Sequence, residues 1–148
     1  MTGIKKALKK KSYKAVPFVI SKTHHLEIEA AINGVKGLFI LDTGASNTCV
    51  GIDKSSHFNL EFEVSKVKAA GAGATEMETY ISKKNSLRIG PWKNKKQEIV
   101  LFDLQHVNTA LQEHDARTVD GIIGADVLKK AKAIIDYSKK RLYLKIKS

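Results

Sequence analysis

Residues 38–46 read Leu-Phe-Ile-Leu-Asp-Thr-Gly-Ala-Ser, so an apolar strand delivers one carboxylate, Asp42, onto a tight Thr43-Gly44 turn. The chemistry open to such an acid depends on a partner. Two carboxylates about 3 Å apart cannot both ionise and therefore share one proton. The ionised member can then take a proton from water while the protonated member polarises a carbonyl oxygen, which is what amide hydrolysis requires. No second Asp-Thr-Gly or Asp-Ser-Gly occurs in the chain. The second acid is therefore expected from another copy of the same polypeptide, and chemistry and oligomeric state become one question.

Other reactive groups give less. Cys49 is the single cysteine, with no basic neighbour in sequence, and reads as a small buried hydrophobe rather than a nucleophile. It permits no intrachain disulfide, which favours a reducing compartment. The five histidines show no metal-ligand spacing, and no Gly-x-Ser-x-Gly is present. No metal or cofactor is expected. Asp120, Asp126 and Asp136 are not read as partners of Asp42; Asp126, just after Gly124, suits a helix N-terminus.

The elements that must position Asp42 are mostly strands. Residues 25–32 alternate, with Leu26, Ile28, Ala30 and Ile32 on one side and His25, Glu27 and Glu29 on the other. Asn33-Gly34 follows, a dipeptide suited to a two-residue hairpin turn with positive φ. The returning strand, Leu38 to Leu41, is apolar on both faces and should run through the core. Further strands are expected at Ala15 to Ile20, Thr48 to Ile52, Val64 to Lys68, Met77 to Ile81, Leu87 to Ile89 and Glu98 to Leu104. A turn is expected at Gly90-Pro91. Residues 69–74, an alanine–glycine run, read as a loop or hairpin tip. Short helices fit residues 3–11 and Val107 to His114, and a single helical turn fits Asp53 to Phe58. Gly121-Ile122-Ile123-Gly124 ends a strand and leads into a clear helix from Ala125 to Lys132. Ala133 to Asp136 and Arg141 to Ile146 pair across Tyr137 to Lys140, with Leu142, Leu144 and Ile146 facing inward.

An apolar strand into Asp42-Thr43-Gly44-Ala45, a glycine-containing hairpin some thirty residues on, and Ile122-Ile123-Gly124 opening a helix together resemble the retropepsin-like aspartic proteases. These are single-lobe, homodimeric enzymes, and the likeness spans about Phe18 to Lys145. It is closer to bacterial-type single-domain members than to viral ones. The resemblance implies a mostly β fold with one clear C-terminal helix, active as a two-fold homodimer, and hydrolysis of peptide or protein substrates. It implies that Asp42 is catalytic and that Thr43, Gly44, Ala45, Ile122, Ile123 and Gly124 support it. Thr43 would bond across the two-fold axis, Gly44 would donate its N–H to the carboxylate, and Gly124 would let two backbone segments pass closely. Gly71, Ala72, Gly73 and Ala74 would lie in a substrate-covering flap from about Ala69 to Thr79. The terminal strands Val16 to Ile20 and Arg141 to Ile146 would hold the dimer. The chain departs from viral members at Ser46 and Asn47, where acids often grip substrate, in Glu76 and Glu78 of the flap region, and in residues 1–15. The division expected is a basic N-terminal extension, residues 1–15, and a protease domain, residues 16–148.

The 148 residues carry a formal charge of +11, with lysines crowding both ends. The bland reading is a solvated surface; a nucleic acid or acidic partner is the sharper one, without the aromatic strip that would support it. No run approaches the ~20 apolar residues of a membrane span, and no secretory signal is legible, so a cytoplasmic location is expected. The alternative to an enzyme is a non-catalytic dimeric module of the same fold that binds peptides by strand addition.

Overall fold

The computed structural model describes residues 3–64 and 78–146. Helix α1 (Gly3–Lys10) precedes strand β1 (Tyr13–Pro17), and β2 (Val19–Ile20), β3 (Leu26–Ile32), β4 (Val35–Leu41) and β5 (Cys49–Gly51) follow. A single 3₁₀ turn, Ile52–Lys54, leads to β6 (Glu63–Val64), β7 (Tyr80–Ile89) and β8 (Trp92–Phe102). Helix α2 (Gln105–Glu113), β9 (Gly121–Ile123), α3 (Ala125–Lys130), β10 (Ile134–Asp136) and β11 (Arg141–Lys145) complete the chain.

Eight strands form one sheet in the order β2-β3-β4-β9-β5-β8-β7-β6. A further pairing of Ala31 and Ile32 with Arg88 and Leu87 joins β3 to β7, closing six strands into a ring. The Asn33-Gly34 turn is seen directly: φ is +51° and +83°, and Ile32 faces Val35 across it. Asn33 also spends its side chain on tertiary structure, donating to Phe58 O (2.9 Å) and Asn85 Oδ1 (3.0 Å) and accepting from Ser86 N–H (3.0 Å).

The two-sided apolar character of residues 38–41 has a simple cause. The middle strands separate two hydrophobic clusters. Phe39 and Leu41 of β4, Val50 of β5, Ile99 and Leu101 of β8, and Ile123 of β9 enter the larger one. Their neighbours Ile40, Cys49, Val100, Phe102 and Ile122 enter the smaller one, with Ala45, Leu104, Leu111 and Val119. Strands buried on both faces read as continuous apolar runs. Burial in both clusters, at roughly 25 cal/mol per Å² of apolar surface, stabilises the strand that ends at Asp42.

Several expectations are modified. Residues 80–89 make one ten-residue strand, not two short ones, because a bulge with Lys84 at φ +62° lets the polar Lys83–Ser86 stretch stay in the ladder. β8 begins at Trp92, ahead of the apolar run, since cross-strand pairing with β7 carries residues 93–97. Glu27 is buried rather than outward, and its carboxylate meets the Arg117 guanidinium at 2.8 Å. Tyr143 is buried together with Leu142 and Leu144, because β11 lies between β1 and β10 in a second, three-stranded sheet. β1 starts at Tyr13, three residues before the expected domain boundary, while α1 buries none of its side chains.

Candidate active site

Asp42 follows β4 directly, and its N–H donates to Ile123 O on the parallel neighbour β9 (3.0 Å). The loop then turns back on itself. Ala45 N–H donates to Asp42 O (3.2 Å), and Gly44 N–H donates to Asp42 Oδ1 (2.9 Å). The carboxylate is thus oriented by its own loop and remains half-buried, while Thr43 and Gly44 are exposed and Ala45 is buried. A Cβ on Gly44 would stand 3.3 Å from Asp42 Oδ1, so glycine leaves room for that N–H to reach the acid.

The second segment locks onto the first through backbone. Ala125 N–H donates to Ala45 O at 2.7 Å. A Cβ on Gly124 would meet Ala45 O and the Asn47 carbonyl at 2.8 Å, so only a glycine lets the start of α3 lie against the Asp42 loop. Ile122 and Ile123 flank this contact, one in each hydrophobic cluster. Asp42, Thr43, Gly44, Ala45, Ile122, Ile123 and Gly124 are therefore brought together in one place. Gly71, Ala72, Gly73 and Ala74 lie outside the described residues. Their described flanks, Val64 and Tyr80, are register partners, and Phe62 packs edge-to-face on Tyr80 with ring centroids 5.3 Å apart.

Sequence reasoning missed the polar brace behind the loop. Thr48 is fully buried; its N–H and Oγ1 donate to Asp126 Oδ1 at 2.9 and 2.8 Å, and Oγ1 accepts from Gly124 N–H at 3.0 Å. Gln97 Nε2 donates to the other oxygen, Asp126 Oδ2, at 3.2 Å. Asp126 is therefore a cross-brace between the loop after Asp42, strand β8 and α3, a larger role than a helix-end charge. The available signal was a threonine and an aspartate set in otherwise apolar stretches. Thr48→Val keeps the shape, removes the donor to Asp126 and strands the Gly124 N–H. It is expected to cost about 2–3 kcal/mol of stability, read as a lowered denaturation midpoint in urea.

Asp120 ties the far end of the same strands. It accepts Leu38 N–H through Oδ2 at 3.0 Å, donates its own N–H to Leu38 O at 2.8 Å, and stands 3.7 Å from Lys54 Nζ. Cys49 is enclosed beneath the loop, and burial, aided by the negative charges of Asp126 and Asp42, pushes its thiol up to about 12. It stays protonated at neutral pH and is not a nucleophile. Among the described residues no cluster of three or more His, Cys, Asp or Glu is arranged to hold a metal.

A family model described as aspartyl protease matches residues 28–127, more than half of the chain and both segments of this site. The chain belongs to the aspartyl protease family. Solved structures share the fold of this aspartyl protease. A retropepsin-like aspartic protease from Rickettsia conorii superposes with a TM-score of 0.61 at 20% identity, covering 89% of each chain. The EIAV protease complexed with the inhibitor HBY-793 gives 0.55 at 15% identity over 74% of this chain and 90% of that one. The retroviral protease-like domain of Ddi1 from Leishmania major gives 0.56 at 16% identity, covering 81% and 87%. No curated protein matches the chain. The aspartyl protease thus has a mostly β, single-domain retropepsin-like fold, and among its described residues no helix is long and apolar enough to cross a membrane.

Proposed function

We propose that the protein is an aspartic endopeptidase that works as a homodimer, each copy supplying one Asp42 to a shared site. The observation that carries this reading is a single half-buried carboxylate, oriented by the Gly44 N–H at 2.9 Å, in a chain with one Asp-Thr-Gly. Thr43 beside it is exposed, which supports a role in meeting a second copy of the loop. In the dimer the ionised Asp42 removes a proton from water as the water oxygen bonds to the carbonyl carbon. The protonated Asp42 hydrogen-bonds the carbonyl oxygen, and a proton passes to the amide nitrogen as the carbon–nitrogen bond breaks. The two acids titrate as a pair.

Edge strands β1 and β2, with Val19 and Ile20 exposed, and the neighbouring β11 are the segments we assign to the dimer contact. We take residues 1–15 as a basic extension whose last three residues already open β1, residues 16–148 as the protease domain, and the enzyme as bacterial-type and cytoplasmic. The lone, buried Cys49 supports a reducing compartment.

Mixing separates a shared site from an independent one. Wild-type protein is combined with an equal amount of Asp42→Asn protein, and the dimers are allowed to exchange. Activity at constant total protein should then fall to about one quarter, the fraction of dimers with two intact acids. A fall to about one half means that each chain acts alone, and the shared site is wrong.

A further inference from the structure

A cavity of about 490 Å³ lies between the segment before β3 and helix α2. On α2 and its C-cap residue His114, positions 106, 110 and 114 are four apart, with 107 and 111 alongside. This wall of the cavity sets aliphatic carbon from Val107, Ala110 and Leu111 between two imidazoles, His106 and His114. The opposite wall brings Lys22 and His25. His25 is held in place: Thr23 Oγ1 lies 2.7 Å from its Nδ1 and 2.8 Å from Ser21 Oγ.

Strand register puts one wall of this cavity at the same end of the sheet as the Asp42 loop. Leu26 pairs with Leu41 in the antiparallel β3–β4 ladder, so His25, just before Leu26, and Asp42, just after Leu41, leave the ladder at the same end. The chemistry of the lining is one-signed. Lys22 brings a basic side chain, imidazole ring nitrogens can donate hydrogen bonds, and among the described residues no Asp or Glu lines the cavity. The imidazoles are not arranged around a metal among the described residues. Methylene groups suit the aliphatic floor, and a carboxylate suits the rim.

We propose that this cavity is a specificity subsite for an acidic substrate side chain, glutamate above all, close to the cleaved bond. The proposal rests on the endopeptidase reading and narrows its substrates to acidic peptides. Lys22, His25, His106 and His114 act on selection and touch no reacting atom.

The test uses peptides identical except for Glu, Gln or Lys at each position flanking the cleaved bond. At one such position kcat/KM for Glu should exceed that for Gln about fivefold, with Lys lowest. The double variant Lys22→Glu, His114→Glu should invert the order to Lys above Glu. Equal rates for Glu and Gln at every position, or an order unchanged in the double variant, overturns the proposal. Binding of the same fluorescent peptides to Asp42→Asn protein, with and without the two reversals, reads the subsite without turnover. Preferential binding of the Glu peptide by a protein that cleaves nothing keeps the subsite and removes the endopeptidase. Cleavage without charge preference does the reverse.

Discussion

Replacing Asp42 by Asn is expected to lower kcat/KM for peptide cleavage by about three orders of magnitude or more, with no change in melting temperature. The two halves of this expectation have separate causes. Asn keeps an oxygen where Asp42 Oδ1 accepts the Gly44 N–H at 2.9 Å, and it leaves the Asp42 N–H bond to Ile123 O untouched. The loop therefore retains its shape. What Asn cannot do is ionise, so under the proposed homodimer mechanism the variant would have no base to deprotonate water and no shared proton to offer the carbonyl. Both catalytic roles disappear from both halves together, which is why the loss should exceed that for removing a single general base. Undiminished cleavage by the folded variant would rule out Asp42 as the reacting acid. A collapse in melting temperature would mean that the carboxylate is structural.

Local chemistry explains why some of this architecture could be read directly from the residues. Asn33-Gly34 declares a hairpin because its required φ values are a property of those two residues. Leu38–Leu41 declares a doubly buried strand because each face has its own apolar cluster to enter. Asp42-Thr43-Gly44 stands out against that run. The less legible parts depend on partners distant in sequence. Glu27 looks solvent-facing in an alternating strand until Arg117, ninety residues on, reaches its carboxylate. Residues 83–86 look like a loop until the Lys84 bulge keeps them paired with β8. Thr48, Gln97 and Asp126 come from three separate elements, so their network has no spacing to recognise. The cavity lined by Lys22 and His114 arises the same way, from a turn and a helix that only the closed sheet brings face to face.

The same distinction separates the two glycines of Gly121-Ile122-Ile123-Gly124. Gly124 belongs to a recognisable pattern, whereas the need for Gly121 shows only in the packed sheet. β9 sits between β4 and β5, pairing parallel with Phe39–Leu41 and antiparallel with Cys49 and Val50. A Cβ on Gly121 would press into the Cys49 carbonyl oxygen and stand 2.9 Å from the Phe39 ring. The carbonyl is backbone in a hydrogen-bonded strand, and Phe39 is fully buried, so neither can move aside without parting strands. Gly121→Ala is therefore expected to cost about 3 kcal/mol or more, measured as a drop in the urea midpoint. Gly44→Ala is the control of similar chemistry: among the described residues its new methyl would meet only Asp42 Oδ1, at 3.3 Å, in an exposed loop. That variant should lose well under half as much stability while perturbing the Asp42 carboxylate directly. Equal stability of Gly121→Ala and wild type would show that β9 can shift within the sheet. The position of Asp42, whose N–H hangs from Ile123 at the end of that strand, would then not be set by strand packing.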